Sequence, residues 1–315
     1  MYGSCYTAGL KPKVLIDNAR FTRNGTAVTG KGHWSIGSVR GNSFDRLLSS
    51  ASQIISTEML TQCDGIGAAD PFAIQRNGTW YLFFEMFRAN SAKAVIAAAT
   101  SQDLVHWDLV GTVLETPHHL SYPFVFEHEG EYYLMPESKS VRRVDLYRAI
   151  EFPTHWVFDR TLLSGRLMDC SMVHHHGRYW MFAGWHSYWL KLFYASSPLG
   201  PWTRHWMPMI RNYSKSSTRP GGRPIHWQNQ LIRFSQDNTD YYGQQLRAWT
   251  VSQMNRLWYF EKPYSLEPIL HGSGVLSDWN GRCMHHIDPF ITKQHSGKGN
   301  TEASDELFAF VDGCP

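Results

Sequence analysis

A hairpin pattern recurs along this chain about every 50 residues, and it restricts the possible folds more than any other feature. Three segments align without a gap, each with a small or apolar strand, a polar residue and glycine at the turn, and an aromatic strand: DPFAIQRNGTWYLFFE from Asp70, YPFVFEHEGEYYLMPE from Tyr122 and DCSMVHHHGRYWMFAG from Asp169. Looser copies begin at Arg223 and Asp288, so the starts lie 52, 47, 54 and 65 residues apart. Such periods are typical of solenoids and propellers.

A second, weaker motif follows each of the first four hairpins and places a tryptophan 33 to 37 residues after the start of the hairpin: Trp107, Trp156, Trp202 and Trp258. Each unit therefore reads as four short strands, which is one propeller blade. We predict an all-β fold, a five-bladed β-propeller with less than about 10% helix against a typical ~30%. The alternating segment HWSIGSV (33–39) is predicted to complete the last blade and close the ring, since its edge would otherwise be exposed. Residues 44–56 fit either a helical turn or a loop.

The predicted domain organisation is an N-terminal extension over residues 1–32 and a single propeller over residues 33–315. A net charge of +3 with 18% charged and 43% hydrophobic residues excludes a disordered chain. No block of Lys or Arg occurs, so we expect no nucleic-acid partner. Apolar runs of about six residues are too short to span a membrane. The first residues contain no apolar signal core.

The five cysteines are far apart and form neither a CxxC pair nor a zinc-like spacing. Three N-x-S/T sequons, at Asn24, Asn77 and Asn212, favour a secretory lumen or the extracellular space. Asn77-Gly78 has an alternative interpretation, because this dipeptide is a strong signal for a tight hairpin turn.

The hairpin turns allow the cross-strand pairs to be predicted. Two-residue turns at Asn77-Gly78, Glu129-Gly130 and His176-Gly177 would place three pairs of residues opposite each other: Asp70 with Glu85, Tyr122 with Glu137, and Asp169 with Gly184. Opposed residues lie on the same face of a sheet. Because the first strand of each blade borders the central channel, these strand starts should converge at one mouth.

We therefore expect one carboxylate-rich site there. Its candidate catalytic residues are Asp70, Glu137 and Asp169. Its candidate substrate-binding residues are Glu85, Tyr122, Arg219, Arg223, Gln236, Asp237, His286, Asp288 and Trp34, which could stack on a sugar. Glycoside hydrolysis needs one protonated and one ionised carboxyl group, which such a cluster could supply. Asp70 should be the ionised one if Arg219 or Arg223 reaches it. His174, His175 and His176 fall at a hairpin tip and make a poor chelate, so no metal is predicted there.

Several longer motifs carry a resemblance to a known family: WSIG (34–37), ADPF (69–72), HLSYPFVF (119–126), YYLMPES (132–138), RPGGR (219–223), SQD (235–237), YYG (241–243), MHHIDPF (284–290) and FVDG (310–313). The chain resembles the N-terminal domain of plant glucosamine inositolphosphorylceramide transferases and its bacterial and algal relatives. That domain is similar in fold to the five-bladed propellers of glycoside hydrolase families such as 43, 32 and 62. In the plant enzymes the transferase chemistry belongs to a separate domain.

The resemblance to the hydrolases implies that Asp70 is the general base. Those families have a pKa-tuning aspartate where this chain has Tyr122, and a general-acid glutamate where it has Asp169. Glu137 is the substitute acid. No cofactor is required, and a central ion or water is expected near His286.

Two functions remain open at this point. The first is a carbohydrate-active, glycoside hydrolase-like enzyme that cleaves or transfers a terminal sugar with a carboxylate acid/base pair. The second is a non-catalytic propeller that binds glycans or serves as a scaffold for a glycosyltransferase. Polar residues in register across the blades favour the first. The expected partners are a carbohydrate ligand and an associated glycosyltransferase domain.

Overall fold

The predicted fold is confirmed, since five small antiparallel sheets are arranged as a five-bladed β-propeller with about 59% strand and 5% helix. The computed structural model describes residues 20–23, 26–29, 34–47, 51–186, 188–212, 214–293 and 305–315. The first strands of neighbouring sheets contact one another around the channel.

The first three blades follow the repeat closely. Blade 1 contains β5 (Gly65–Arg76), β6 (Thr79–Arg88), β7 (Val95–Ser101) and β8 (Asp108–Leu114). Blade 2 contains β9 (Ser121–His128), β10 (Glu131–Glu137), β11 (Arg143–Glu151) and β12 (His155–Ser164). Blade 3 contains β13 (Leu167–His175), β14 (Arg178–Trp185), β15 (Trp189–Ala195), β16 (Thr203–Arg204) and β17 (Arg211–Asn212).

Blade 4 has an interrupted inner strand. Its parts β18 (Arg219–Pro220) and β19 (Ile225–Trp227) both pair with β20 (Gln230–Asp237), followed by β21 (Gln245–Met254), β22 (Tyr259–Pro263) and β23 (Leu270–His271). The interruption at Gly222 has φ +142, and a Cβ there would lie 1.7 Å from the carbonyl oxygen of Ile287 in blade 5. This glycine therefore allows two blades to approach backbone to backbone.

Blade 5 closes the ring as predicted, with the order β24 (Ile287–Lys293), β25 (Asp305–Gly313), β3 (Ser35–Gly41) and β4 (Ser52–Ile55). The segment 44–56 contains more than the expected helical turn or loop, because its end is the outermost strand β4. Short helices lie at Phe44–Arg46, Thr57–Leu60 (α1), Thr61–Cys63 and Lys139–Val141.

The hairpin turns are confirmed, but a β-bulge changes the pairing register by one residue near the open end of each hairpin. Pairs such as Arg76 with Thr79 match the predicted turn. A β-bulge then places Ala69 opposite Glu85, so Asp70 does not face Glu85. Equivalent bulges separate Tyr122 from Glu137, whose partner is Ser121. In the third hairpin the partner of Gly184 is Met168 and not Asp169. A bulge inserts one extra residue and re-aims the side chains beside it.

Aromatic side chains fill the spaces between the blades. Trp107 of blade 1, for example, packs on Phe310 of blade 5 with ring centroids 5.6 Å apart. Trp107 and Trp156 of the second motif are buried, whereas Trp258 is 52% exposed. Blade-to-blade packing therefore explains only part of the tryptophan repeat.

The predicted extension over residues 1–32 lies mostly outside the described residues. Within it, β1 (Arg20–Arg23) and β2 (Thr26–Thr29) pair only with each other. No helix among the described residues has the length and apolar character needed to cross a membrane.

Candidate functional site at the channel mouth

Three residues at equivalent positions of blades 1–3 adopt left-handed backbone conformations. Asp70, Tyr122 and Asp169 have φ values of 54°, 49° and 49°. Such values are uncommon outside glycine and cost free energy, and strained residues away from turns cluster at functional sites. All three side chains are buried. The bulges thus direct three polar side chains into one region, at the end of the channel that the repeat predicted.

Asp169 is the centre of a network that joins blades 2, 3 and 4. Its carboxylate accepts hydrogen bonds from the guanidinium of Arg219, at its Nε atom, and from Nε2 of Gln236 at 3.1 Å. Its backbone N–H donates to Oε2 of Glu137 at 3.0 Å. The predicted residues Glu137, Asp169, Arg219 and Gln236 therefore lie together.

Asp70 lies against blade 5. Its Oδ1 atom is 3.6 Å from Nδ1 of His286 and 4.0 Å from Nε2 of His285. Its backbone N–H donates to Oδ2 of Asp312 at 3.1 Å. Asp70 and His286 thus share the site, as predicted, while Asp312 is an additional member.

His285 links the carboxylate of Asp312 to the phenol of Tyr242. Its Nδ1 atom is 2.8 Å from Oδ2 of Asp312, and its Nε2 atom is 3.1 Å from the Tyr242 hydroxyl. Trp34 stacks on the imidazole with centroids 4.4 Å apart. Because Trp34 is only 3% exposed, it supports His285 and does not present a free face to a sugar.

Tyr122 occupies the position at which the hydrolase pattern has an aspartate, and it makes structural contacts. Its hydroxyl lies 2.7 Å from Oγ of Ser171 and accepts a 2.7 Å hydrogen bond from the backbone N–H of Gly222. The side chain is fully buried. Tyr122 therefore ties blade 2 to blades 3 and 4.

Arg223 and Asp288 form a second layer in the channel instead of joining the carboxylates at the strand starts. Nε of Arg223 donates to Oδ1 of Asp288 at 2.6 Å, and Oδ2 of Asp288 accepts from the backbone N–H of Ala73 at 2.7 Å. Arg223 also donates to the carbonyl of Val125 at 3.1 Å. Asp288 pairs with Phe310 within the regular ladder, beyond the irregular start of its blade.

Two further predicted residues have other partners. Asp237 accepts from Nε of Arg247 at 2.7 Å and from Nε2 of Gln245 at 2.9 Å, within its own blade. Oε1 of Glu85 lies 3.2 Å from Nε2 of His119. The charge of Glu85 still acts on Asp70 and raises the pKa of that carboxyl.

The site separates its carboxyl groups into two classes. Burial raises the pKa of Asp70 well above its ordinary value, and the charges of Glu85, Asp312 and Asp169 raise it further. Burial also raises the pKa of Glu137, with a second contribution from the charge of Asp169. Burial alone would raise the pKa of Asp169 too, but Arg219 outweighs it and holds that pKa below its usual range.

Asp312 belongs to the second class. Burial opposes its ionisation, but the charge and hydrogen bond of His285 lower its pKa overall. An ionised Asp70 was expected only if Arg219 or Arg223 reached it, and this condition is not met, because Arg219 pairs with Asp169 and Arg223 pairs with Asp288. The expected protonated Glu137 agrees with the direction of its pKa shift.

The surroundings of His286 fit the central water or ion that the resemblance implies. Burial lowers the pKa of His286 to about 3, so its ring is neutral and can offer a lone pair. Neither ring nitrogen makes a hydrogen bond of ordinary geometry within the described residues, and Oδ1 of Asp70 is likewise unpaired. Ligand atoms of Asp70, His285 and Asp312 also lie within 4.8 Å of one another. His286 and Asp70 would hold such a group, with His285 and Asp312 behind them.

The sequence pattern did not identify His285, Asp312 and Tyr242 as site residues. Their motifs, MHHIDPF, FVDG and YYG, are present, but residues 294–304, which connect the two strands of the fifth hairpin, lie outside the described residues. The sequence shows no short turn from which to count, so the pairing of Ile287 with Val311, next to His286 and Asp312, could not be predicted.

The histidine run lies at the opposite end of blade 3, as predicted. His175 pairs with Arg178 across the turn, and its Nδ1 atom is 2.9 Å from Nε2 of His226. Two open surface cavities of about 550 and 720 Å³ lie beside these histidines. Their walls contain turn residues and none of the strained residues of the channel mouth, so we place the functional site at the mouth.

Comparison with known proteins identifies the family. Residues 53–299 match the family described as glucosamine inositolphosphorylceramide transferase 1, N-terminal. The chain belongs to this family. It is 36% identical over 256 residues to glucosamine inositolphosphorylceramide transferase 1 of Arabidopsis thaliana, covering 78% of this chain and 32% of that protein. The protein of the same name from Oryza sativa subsp. japonica is 34% identical over 229 residues, covering 70% and 31%. The chain thus spans about a third of these relatives.

Solved glycoside hydrolases share the fold of this family member. A family 117 glycoside hydrolase from Zobellia galactanivorans superposes with a TM-score of 0.52 at 13% identity, covering 93% of this chain and 88% of that one. A thermostable family-43 glycoside hydrolase gives a TM-score of 0.55 at 13% identity, covering 76% and 88%. At this identity the likeness establishes the propeller fold alone.

Proposed function

We propose that this chain is a carbohydrate-binding propeller that holds a terminal sugar at the channel mouth without cleaving it. The observation that carries this proposal is the ion pair between Arg219 and Asp169. It neutralises one of the three candidate catalytic carboxylates, while the pKa values of the other two, Asp70 and Glu137, are raised.

Hydrolysis by two carboxyl groups requires one protonated acid and one free, ionised base or nucleophile. Asp70 and Glu137 both favour the protonated form, so the site has two proton donors. Asp169 is ionised but is 1% exposed and engaged by Arg219 and Gln236. Arg219 contacts both oxygens of this carboxylate, which disfavours its use in activating a water. The site therefore suits hydrogen bonding to hydroxyl groups better than acid/base hydrolysis.

The groups that remain accessible lie around the rim. Glu137, Arg219 and Tyr242 are only partly buried, although most of their neighbours are fully buried. A carboxyl, a guanidinium and a phenol supply donors and acceptors for the hydroxyls of a sugar ring. These three residues would contact the ligand, and the deeper residues would hold them in place.

The charge of the site favours a neutral or positively charged sugar. Its carboxyl groups belong to Asp70, Glu85, Glu137, Asp169 and Asp312, and Arg219 is the guanidinium among them. The charges of Glu85, Asp169 and Asp312 act within this site and outnumber the one guanidinium of Arg219, so an anion would be repelled and a protonated amine would be attracted. An amino sugar fits this chemistry, and the names of the relatives include glucosamine. In a longer protein, the propeller would present the sugar-bearing substrate to a glycosyltransferase domain.

We also propose that a water molecule or a small cation binds between His286 and Asp70. Such a group would satisfy the unpaired ring nitrogen and carboxyl oxygen of these two buried residues. It would fix the bottom of the binding site.

Localisation to a secretory lumen is part of the same proposal. Asn77 is exposed at the tip of the first hairpin, with Thr79 two residues later. In secreted expression we expect a glycan at Asn77. Removal of N-glycans should shift the mass of the wild type and of Thr79→Ser, which keeps the sequon, more than that of Thr79→Ala. An equal shift in all three proteins would contradict glycosylation at this site.

The proposed function is tested by measuring binding and turnover on the same protein. Calorimetric titration with methyl glycosides should detect binding to the wild type, and Glu137→Ala, which removes the carboxyl group, should weaken it by about 5- to 20-fold, the loss of one or two hydrogen bonds. Glu129→Ala, at a hairpin tip on the other end of blade 2, is the control and should bind like the wild type. Turnover of any chromogenic glycoside that disappears in Asp70→Asn would overturn the proposal and establish a hydrolase.

A further inference from the structure

His285 and Asp312 lie on two different chain segments, and each segment has a cysteine close to the site residue. Cys283 precedes His285 by two residues, and Cys314 follows Asp312 by two residues. The two cysteines form an antiparallel bridge with reciprocal backbone hydrogen bonds of 3.2 and 3.1 Å. They are 1% and 8% exposed and pack with Trp34 and Ala69. These thiols therefore lie against the rear of the channel-mouth site.

The geometry of this pair suits a disulfide. Residues directly opposite in an antiparallel pair project to the same face. A hydrogen-bonded pair of this kind has its Cα atoms about 5.5 Å apart, within the range of roughly 4.4–6.8 Å that a disulfide spans. The two thiols already hydrogen-bond to each other, and this contact, with burial, raises the pKa of Cys314. Both cysteines are free thiols in this structure.

We propose that Cys283 and Cys314 form a disulfide under oxidising conditions, and that this bond holds the two chain segments that carry His285 and Asp312 together. The oxidant is a small-molecule disulfide such as oxidised glutathione. A thiolate of one cysteine attacks it and releases one glutathione thiol, leaving a mixed disulfide. The second cysteine, after losing its proton, attacks the protein sulfur of that mixed disulfide and releases the second glutathione. Two protein thiols are thus oxidised while one glutathione disulfide is reduced to two thiols.

This disulfide would restrain the two segments that position the imidazole. The Asp312 carboxylate accepts from the backbone N–H groups of His285 and His286, both at 3.1 Å. A covalent link two residues away on each strand keeps these donors and the acceptor in register. In the folded protein both thiols are buried, and the raised pKa of Cys314 disfavours its thiolate, which is the nucleophile, so reaction with the oxidant is slow. We therefore expect the bond to form while the chain folds.

The test is refolding of the full chain in a glutathione redox buffer, followed by tryptic mass spectrometry. Cleavage after Arg282, Lys293 and Lys298 places the two cysteines on separate peptides, 283–293 and 299–315. We expect these two peptides to be joined, and Tm to exceed that of the reduced protein by roughly 5–10 °C. Cys314→Ser and Cys283→Ser should each abolish the difference in Tm between oxidised and reduced samples.

Cys63→Ser is the matched control, because Cys63 lies in blade 1 away from this pair, and it should retain the joined peptides and the difference in Tm. Comparing the Tm of oxidised and reduced samples of the same variant separates the effect of the disulfide from any destabilisation that the serine itself causes. The proposal is overturned if refolded wild-type protein lacks the joined peptides. It is equally overturned if the difference in Tm persists in both serine variants of the pair.

Discussion

Arg219 of blade 4 forms an ion pair with Asp169 of blade 3, and this pairing determines which carboxyl group of the site is ionised. The charge of the guanidinium holds the pKa of Asp169 down although the residue is buried. The ionised Asp169 in turn raises the pKa values of Asp70 and Glu137. One contact between blades thus keeps Asp169 ionised and adds to the effect of burial on the pKa values of Asp70 and Glu137.

Removal of one member of this pair should destabilise the protein more than removal of both. Arg219→Gln leaves the buried Asp169 without its counter-ion, at an expected cost of about 2–4 kcal/mol in the free energy of unfolding. Asp169→Asn in the Arg219→Gln background should recover part of that loss. Urea unfolding of the wild type, the two single variants Arg219→Gln and Asp169→Asn, and the double variant measures the coupling energy. Additive effects of the two substitutions would show that the pair is not coupled.

The dependence of stability on pH should reveal the two classes of carboxyl group. Asp70 and Glu137 have raised pKa values in the folded state, so they stabilise the fold fully at low pH and lose this contribution as pH rises through those values. Asp169 and Asp312 have lowered pKa values, so their contribution is lost as pH falls below about 4. Asp70→Asn should therefore flatten the decline of Tm as pH rises above about 4, where an aspartate of the unfolded chain ionises.

The matched comparison is Asp169→Asn, which removes a group of the opposite class. It should lower the stability at neutral pH and reduce the loss on acidification. A steeper alkaline decline of Tm in Asp70→Asn would contradict the raised pKa of Asp70.

Tyr122 should contribute to stability through its hydroxyl group. Tyr122→Phe keeps the ring but leaves the backbone N–H of Gly222 and the hydroxyl of Ser171 without this partner, which should cost about 1–3 kcal/mol. Tyr188→Phe is the control, because this tyrosine is 43% exposed, and it should change the free energy of unfolding by less than about 0.5 kcal/mol. Equal effects in the two variants would argue against the role of Tyr122 in joining the blades.

The sequence predicted the propeller because repeated turns and strands are local features. Asn77-Gly78 and His176-Gly177 fixed two hairpins, and β3 (Ser35–Gly41), which overlaps the strand predicted over 33–39, lies at the closure of the ring. The bulges at Asp70 and Asp169 could not be counted from the turns, since they arise where the strands meet other blades. The partner of Arg219 was equally hidden, because it depends on how blade 4 packs on blade 3.

The predictions were least accurate in blades 4 and 5, where the repeats are looser. The aligned residues Arg223 and Asp288 lie in the second layer of the channel, whereas Arg219 and His285 are the residues of these blades at the mouth. In blade 4 the interruption at Gly222 separates the two halves of the inner strand. Only the contacts between blades establish which residues share a level.

Titration of the wild-type chain with a charge-graded series of sugars tests the central claim most directly. Methyl glucosaminide, methyl glucoside and methyl glucuronide share a ring shape and differ in carrying a positive, neutral or negative group near pH 7. The acid-rich mouth predicts calorimetric affinities in the order amine, neutral, acid, with binding of the amine weakened by Glu137→Ala and none of the three cleaved. Tighter binding of the glucuronide than of the glucosaminide, or release of methanol from any of them, would contradict a non-hydrolytic site for neutral or amino sugars.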